Sequence, residues 1–260
     1  MLPKFERRRF LTSLGAATTM LAGTGAAGRR ALAQAQAVEP SARALVEGMA
    51  QALSSARTMR FSVTTLMDGD ASTPLPDIYK LVSSAKVLFA RPNRLRVQYG
   101  APVNAELLGD GEKTTVFVPA RAMKAQLAVG QPNQAPEATV AYDAVMLPFI
   151  DLVLEKAARR FTDDLRVSQV LVRDIAIDGV PSDVVFLSTP SFHGEIWIAR
   201  ADRLPRHVVG TWMRGIGGKP TTAASLYSGW SLDQPVTDAD FLPAGIADAR
   251  TVPFGELWKK

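Results

Sequence analysis

Hydrophobic spacing along the chain changes from a helical period to a period of two. Pro40 and Ser41 open a stretch in which Leu45, Met49, Leu53 and Ala56 recur at helical spacing, with Arg43, Glu47, Gln51 and Ser54 on the opposite side. An amphipathic helix of this kind has to lay its apolar stripe on another element. Beyond it, Phe61, Val63 and Thr65 alternate with Ser62 and Thr64, and Leu95, Val97 and Tyr99 alternate with Arg94, Arg96 and Gln98. Val116 and Val118 flank Phe117 just after an Asp110-Gly111 turn signal. Further short runs follow at 123–129, 165–177, 183–188, 195–199, 207–213 and 222–232, with Asp178-Gly179 and Gly217-Gly218 as hairpin turns. Strands joined by short turns pair antiparallel, because parallel pairing needs long crossovers. No linker of domain length interrupts the series, so one domain is expected.

From about 139 to 161 the period is helical again and strongly apolar. Val145, Met146, Leu147, Phe149, Ile150, Leu152, Val153 and Leu154 lead to Glu155-Lys156 and Arg159-Arg160. Pro148 sits inside the stretch, which predicts two short helices or a kinked one. Inserted between two halves of a curved sheet, this segment is expected to close over the concave face as a lid. The fold class is therefore α+β: a single curved antiparallel sheet with an N-terminal helix and a helical lid.

The first 33 residues read as an export signal rather than as part of that domain. Lys4, Arg7, Arg8 and Arg9 precede an uncharged stretch from Leu11 to Ala27, and Ala31-Leu32-Ala33 offers small residues for cleavage. Arg7-Arg8-Arg9-Phe10-Leu11 resembles the core of twin-arginine signals, so Arg7, Arg8, Phe10 and Leu11 are the expected recognition residues. Glu6 and Thr12 depart from the usual pattern. Cleavage after Ala33, Ala35 or Ala37 and retention as an anchor all stay open. The Gly- and Ala-rich stretch suits a lipid span poorly, since spanning takes roughly 20 strongly apolar residues. The expected product is a periplasmic domain from residue 34 to 260.

Removing the signal changes the charge argument. The chain has 30 Lys+Arg against 25 Asp+Glu; residues 1–33 hold six of the former and one of the latter, which leaves 24 of each. A basic footprint for nucleic acid does not survive that subtraction. With no cysteine, stability has to come from the core, and thiolate, iron–sulfur and cysteine–zinc chemistry is excluded. His193 and His207 are the only histidines, too few for a histidine-rich metal site. No metal or cofactor is expected.

Catalytic patterns are fragmentary. His193-Gly194-Glu195 matches the H-x-E of zinc deaminases without the partner cysteines. Residues 215–220 resemble a phosphate loop only in part, since Met213 and Pro220 occupy positions that need Gly and Ser or Thr. No G-x-S-x-G elbow is present. The chain is therefore expected not to be an enzyme. Met59, Met67, Met123, Met146 and Met213 are spread over strands and lid, where they suit either ordinary core filling or an adaptable apolar pocket.

Several segments in order resemble a known family. Phe89-Ala90-Arg91-Pro92-Asn93-Arg94-Leu95-Arg96 is followed by Leu108-Gly109-Asp110-Gly111 and by Val116-Phe117-Val118-Pro119. Ile196-Trp197-Ile198-Ala199, Leu204-Pro205-Arg206 and Phe241-Leu242-Pro243 come later. Together they resemble the LolA/LolB-like superfamily of periplasmic lipoprotein carriers. Through Asp178-Gly179-Val180-Pro181 the chain is more similar still to a group of uncharacterised predicted periplasmic proteins within it. The resemblance implies an incomplete antiparallel barrel with helices plugging its open side over an apolar cavity. It also implies that Arg91 latches the lid. The mature chain lacks a lipobox cysteine, and its signal differs from the Sec signals of true carriers.

Two functions follow as expectations. The first is a non-enzymatic periplasmic carrier of a lipid, an acylated molecule or another apolar ligand. The second is a sensor or protein-interaction module, with a self-filled cavity, that docks on an envelope membrane protein. A monomer is expected in either case. By alternation, the cavity-facing residues are Leu95, Val97, Tyr99, Val116, Val118, Phe149, Leu152, Val153 and Phe186. A one-residue slip in any strand turns its side chains to the other face.

Overall fold

The computed structural model describes residues 39–67, 81–101, 103–110, 113–128, 162–213, 220–257 and 259. They belong to a unit spanning Val38–Lys260. The expected signal with Arg7, Arg8, Phe10 and Leu11, the expected lid with Phe149, Leu152 and Val153, and the Gly217-Gly218 turn lie outside the described residues.

Helix α1 (Pro40–Ser55) buries Ala42, Leu45, Val46, Met49 and Leu53 along one stripe. Pro40 suits the first turn, where its missing N–H has no intrahelical partner to lose. On the exposed side Arg43 and Glu47 pair at 2.7 Å, one turn apart. No described helix is long and apolar enough to cross a membrane.

The described strands are β1 (Thr58–Met67), β2 (Leu81–Ala90), β3 (Arg94–Tyr99), β4 (Glu106–Gly109), β5 (Lys113–Val118) and β6 (Met123–Ala128), followed by β7 (Val167–Ile177), β8 (Val180–Ser188), β9 (Phe192–Ala199), β10 (Pro205–Trp212), β11 (Thr221–Leu232) and β12 (Arg250–Thr251). They form one sheet in the order β12-β6-β5-β4-β3-β2-β1-β11-β10-β9-β8-β7. Two meanders, β1 to β6 and β7 to β11, are thus joined through β1 and β11, which pair from Met59↔Leu232 to Met67↔Ala223. Every pairing is antiparallel except the two-residue contact of β12 with β6. The sheet does not close: β7 stands at one edge and β12 at the other.

The β7–β8 turn shows why the chain reverses where it does. Ile177 faces Val180 directly, which leaves the two-residue loop Asp178-Gly179 with φ of 48° and 77°. Positive φ at both positions is the mirror-image turn that matches strand twist. Elsewhere glycine serves close approach. Gly194 faces Gly210 across β9 and β10, and a Cβ on Gly210 would lie 2.2 Å from the Phe192 ring. Gly194 in the His193-Gly194-Glu195 segment therefore answers to packing between strands.

One core cluster gathers α1 and the same face of β1 to β11. Val185 and Leu187 of β8 belong to it, both fully buried. Phe186, expected to face the cavity, has the opposite parity and is only half-buried. The run Val184-Val185-Phe186-Leu187 is apolar throughout, so alternation alone could not choose its inward set.

His207 on β10 is 7% exposed and stands edge-on to Trp197 at 5.6 Å. Burial lowers its pKa to about 4. The unfolded chain, with histidine near 6.5, then binds more protons than the folded one between those values. Stability from this group is complete above pH 6.5 and is lost as pH falls towards 4. The expected loss is about 3 kcal/mol by urea unfolding, and His207→Gln should lack that component.

Candidate functional site

Register turns the inner face of the first meander into rows. Phe61, Val87, Val97, Leu107, Val116 and Ala125 stand opposite one another across six successive strands. All six belong to the core cluster. The next row runs Tyr227, Val63, Ala85 and Tyr99, and the one beyond it Ser225, Thr65 and Ser83. Among the described residues, the inner positions of β1 to β6 carry no charged side chain.

The inner face is not uniformly apolar. Thr65 and Ser225 are fully buried, and their hydroxyls meet at 2.8 Å. Ser83 stands beside Thr65 in the same row. Tyr99 and Tyr227 bring two more buried hydroxyls to the neighbouring row. Burial pushes the Tyr227 phenol well above its ordinary range, so it stays protonated. The result is an apolar floor bordered at one end by a belt of neutral hydroxyls, which can donate and accept hydrogen bonds without a charge.

Leu95, Val97, Tyr99, Val116 and Val118 all lie on this face: Leu95 packs against the core cluster, and the other four belong to it. Alternation failed to single out Thr65, Ser83 and Ser225. Their signal was the Ser/Thr content of β1, β2 and β11, and only the register brings the three together.

Arg91 follows β2 directly. Because Thr58 pairs with Ala90, Arg91 stands beside the connection from α1 into β1. Its Nε donates to Ala56 O and its Nη2 to Leu53 O, both at 2.9 Å. Its guanidinium also lies 5.4 Å from the Phe89 ring centroid. One cation thus satisfies two carbonyls at the C-terminus of α1, where orphan acceptors and the negative dipole end favour it. Through this clamp α1, which packs on β7 and β8, is tied to the β2–β3 turn of the other meander. The carbonyls bonded by Arg91 are thus at the C-terminus of α1, whereas the lid that the resemblance implies it latches lies outside the described residues.

The histidines occupy separate places. His193 is exposed on β9 opposite Thr211, whereas His207 is buried opposite Trp197. Among the described residues no group of three His, Cys, Asp or Glu is arranged to hold a metal ion.

Arg91→Leu should lower unfolding stability by about 2 kcal/mol, since two charge-assisted hydrogen bonds are lost from a partly exposed group. Amide exchange should speed up in the last turn of α1. Arg91→Lys should recover only part of the loss, because an ammonium cannot fork across two carbonyls.

Residues 42–255 match the family model of predicted periplasmic proteins, DUF2092. No curated protein matches the chain. Among solved structures it is similar to the LolA superfamily protein NE2245 from Nitrosomonas europaea, at 15% identity and TM-score 0.36, covering 78% of this chain and 97% of that one. It is also similar to the Mycobacterium tuberculosis lipoprotein LppX, at 12% identity and TM-score 0.44, covering 76% and 98%. A chain of the Pseudomonas aeruginosa MucA/MucB complex is similar at 12% identity and TM-score 0.45, covering 82% of this chain and 63% of that one. With a match over more than four-fifths of its length, the chain belongs to the DUF2092 family of predicted periplasmic proteins.

Proposed function

We propose that this domain is a periplasmic, non-enzymatic carrier of an amphiphile with an acyl or similarly apolar body. The observation that carries the reading is the inner face of the first meander: a six-strand apolar row with a belt of hydroxyls beside it. Among the described elements α1 packs on β7 and β8, at the far side of the sheet. The apolar row of β2 to β5 needs its own cover, because such a face is stable only when buried. In this reading the 139–161 segment roofs that row, with Phe149, Leu152 and Val153 facing it, and the ligand's apolar body slides between roof and floor. Arg91 keeps the α1 end of the frame fixed while the roof moves. The Arg7-Arg8 signal sends the protein through the twin-arginine route, and it works as a monomer.

The energetics suit such a ligand. Burying an acyl chain contributes about 0.8 kcal/mol per CH2, so a chain of roughly 16 carbons gains on the order of 12 kcal/mol before the entropic cost of binding. Neutral hydroxyls at the belt can satisfy an ester or hydroxyl group without the desolvation cost of a buried charge.

A second reading keeps the fold and fills its interior with its own side chains, leaving a docking module for an envelope membrane protein. Leu171 and Val172 favour it, each 45% exposed on the edge strand β7. Arg173, Asp174 and the register shifts between Val170 and Ile175 are, however, the features that guard an edge against pairing.

Native mass spectrometry of protein purified from the periplasm separates the two. The carrier reading predicts co-purified acyl lipid, recovered by organic extraction. Lipid-free protein that also fails to bind a fluorescent fatty acid would overturn it in favour of the docking module.

A further inference from the structure

The outer face of the same sheet holds a groove of about 470 Å³ over β1, β2 and β3. Register builds its floor from two adjacent rows. Ser62, Lys86 and Gln98 stand opposite one another in the first, and Arg60, Leu88 and Arg96 in the second. The C-terminal segment forms one wall, where Thr237, Ala239 and Asp240 line the groove, and Gly229 lines it from β11.

Two of the three cations are held in place by the wall and the neighbouring strand. Arg60 Nη2 donates to Asp240 Oδ1 at 3.1 Å, and Arg96 Nη1 donates to Asp240 O at 2.9 Å. Arg96 Nε donates to Glu106 Oε2 at 2.7 Å. Asp240 is fixed in turn by the Thr237 N–H at 2.8 Å and the Thr237 hydroxyl at 2.9 Å. These bonds, the Thr237 N–H foremost and Arg60 next, hold its carboxyl down to about 2, so the wall keeps its charge throughout the physiological range. Lys86 differs from both arginines. It is exposed on the groove floor, and among the described residues it has no carboxylate partner.

We propose that this groove is a binding site for a small organic anion bearing a phosphate or carboxylate group, with Lys86 as its principal contact. Three cations and one carboxylate line the groove, which leaves it positive even with Glu106 bonded to Arg96 from outside the lining. The guanidiniums are already oriented, so an oxyanion meets preorganised donors and little ordering is required of the protein. Gln98 and Ser62, flanking Lys86 in its row, supply neutral hydrogen-bonding groups. Leu88 offers an apolar floor for the body of the molecule, and the volume falls in the ordinary range of small-molecule sites. The groove lies on the face opposite the apolar rows, so its occupancy does not depend on the carrier reading.

Two sources present this chemistry: a soluble phosphate ester or carboxylate, and a lipid headgroup at a membrane surface. The test titrates the full mature chain with glycerol 3-phosphate and with succinate, following amide shifts by NMR, and in parallel measures cosedimentation with phosphatidylglycerol or phosphatidylcholine vesicles. Saturable shifts centred on Lys86, Gln98 and Gly229 are expected, weakened about tenfold by Lys86→Met and reduced by added salt. Lys113→Met, an exposed lysine on β5 away from the groove, should leave binding unchanged. Gln98→Ala, also at an exposed position, should weaken binding less than Lys86→Met. Binding of phosphatidylglycerol vesicles that depends on Lys86, with no response to the soluble anions, would assign the site to a headgroup and uphold it. No saturable binding in any arm, or binding insensitive to Lys86→Met in a variant of unchanged melting temperature, would overturn the proposal.

Discussion

The pairing of β1 with β11 joins the first strand of one meander to the last strand of the other. With that ladder in place, both meanders turn their apolar positions to the same side. Phe61 and Val63 of β1 thereby extend the rows of β2 to β6, while Ala223 and Tyr227 of β11 belong to the same core cluster. A sheet this wide twists and curls, because each strand is rotated against its neighbour in the same sense. Curling brings the rows round a common interior. Each buried valine, leucine or phenylalanine there contributes about 1.5–3 kcal/mol, so the interior dominates what holds the fold.

Openness of the sheet decides what kind of interior this is. A closed barrel of small diameter would fill with its own side chains. Here the edges at β7 and β12 remain apart, and α1 serves the β7–β8 side. The direct hydrogen bonds from Arg91 to the α1 C-terminus then acquire mechanical meaning. They fix the helix to the opposite meander, and in the carrier reading the β2–β5 rows are where the ligand lies. The hydroxyl belt of Thr65, Ser83 and Ser225 gives that region a polar end, and the groove around Lys86 gives the outer face a separate, charged character.

Much of this was legible from residue spacing. The helix declared itself because its apolar residues recur every three to four positions and its polar ones fall opposite, and α1 runs from Pro40 to Ser55 as that spacing implies. The Asp178-Gly179 turn was legible because only a few residue pairs tolerate positive φ at both positions. Phe186 was misplaced for the converse reason: in a run with no polar residue, alternation carries no parity. β4, only four residues long, is too short for its period to stand out. Arg91 could be singled out by its motif, yet its bonds to Leu53 and Ala56 depend on Thr58 pairing with Ala90, which no local pattern states. The Lys86 groove was invisible for the same reason, since its rows are assembled from three strands and a distant C-terminal segment.

The carrier reading rests on the inner rows of the first meander being the surface that a ligand touches. Photo-crosslinking with a diazirine-bearing fatty acid, followed by peptide mapping, tests that directly. The account predicts adducts on the inner-face residues of β3, β4 and β5, among them Val97, Leu107 and Val116. Adducts confined to the outer face or to the β7 edge would contradict it.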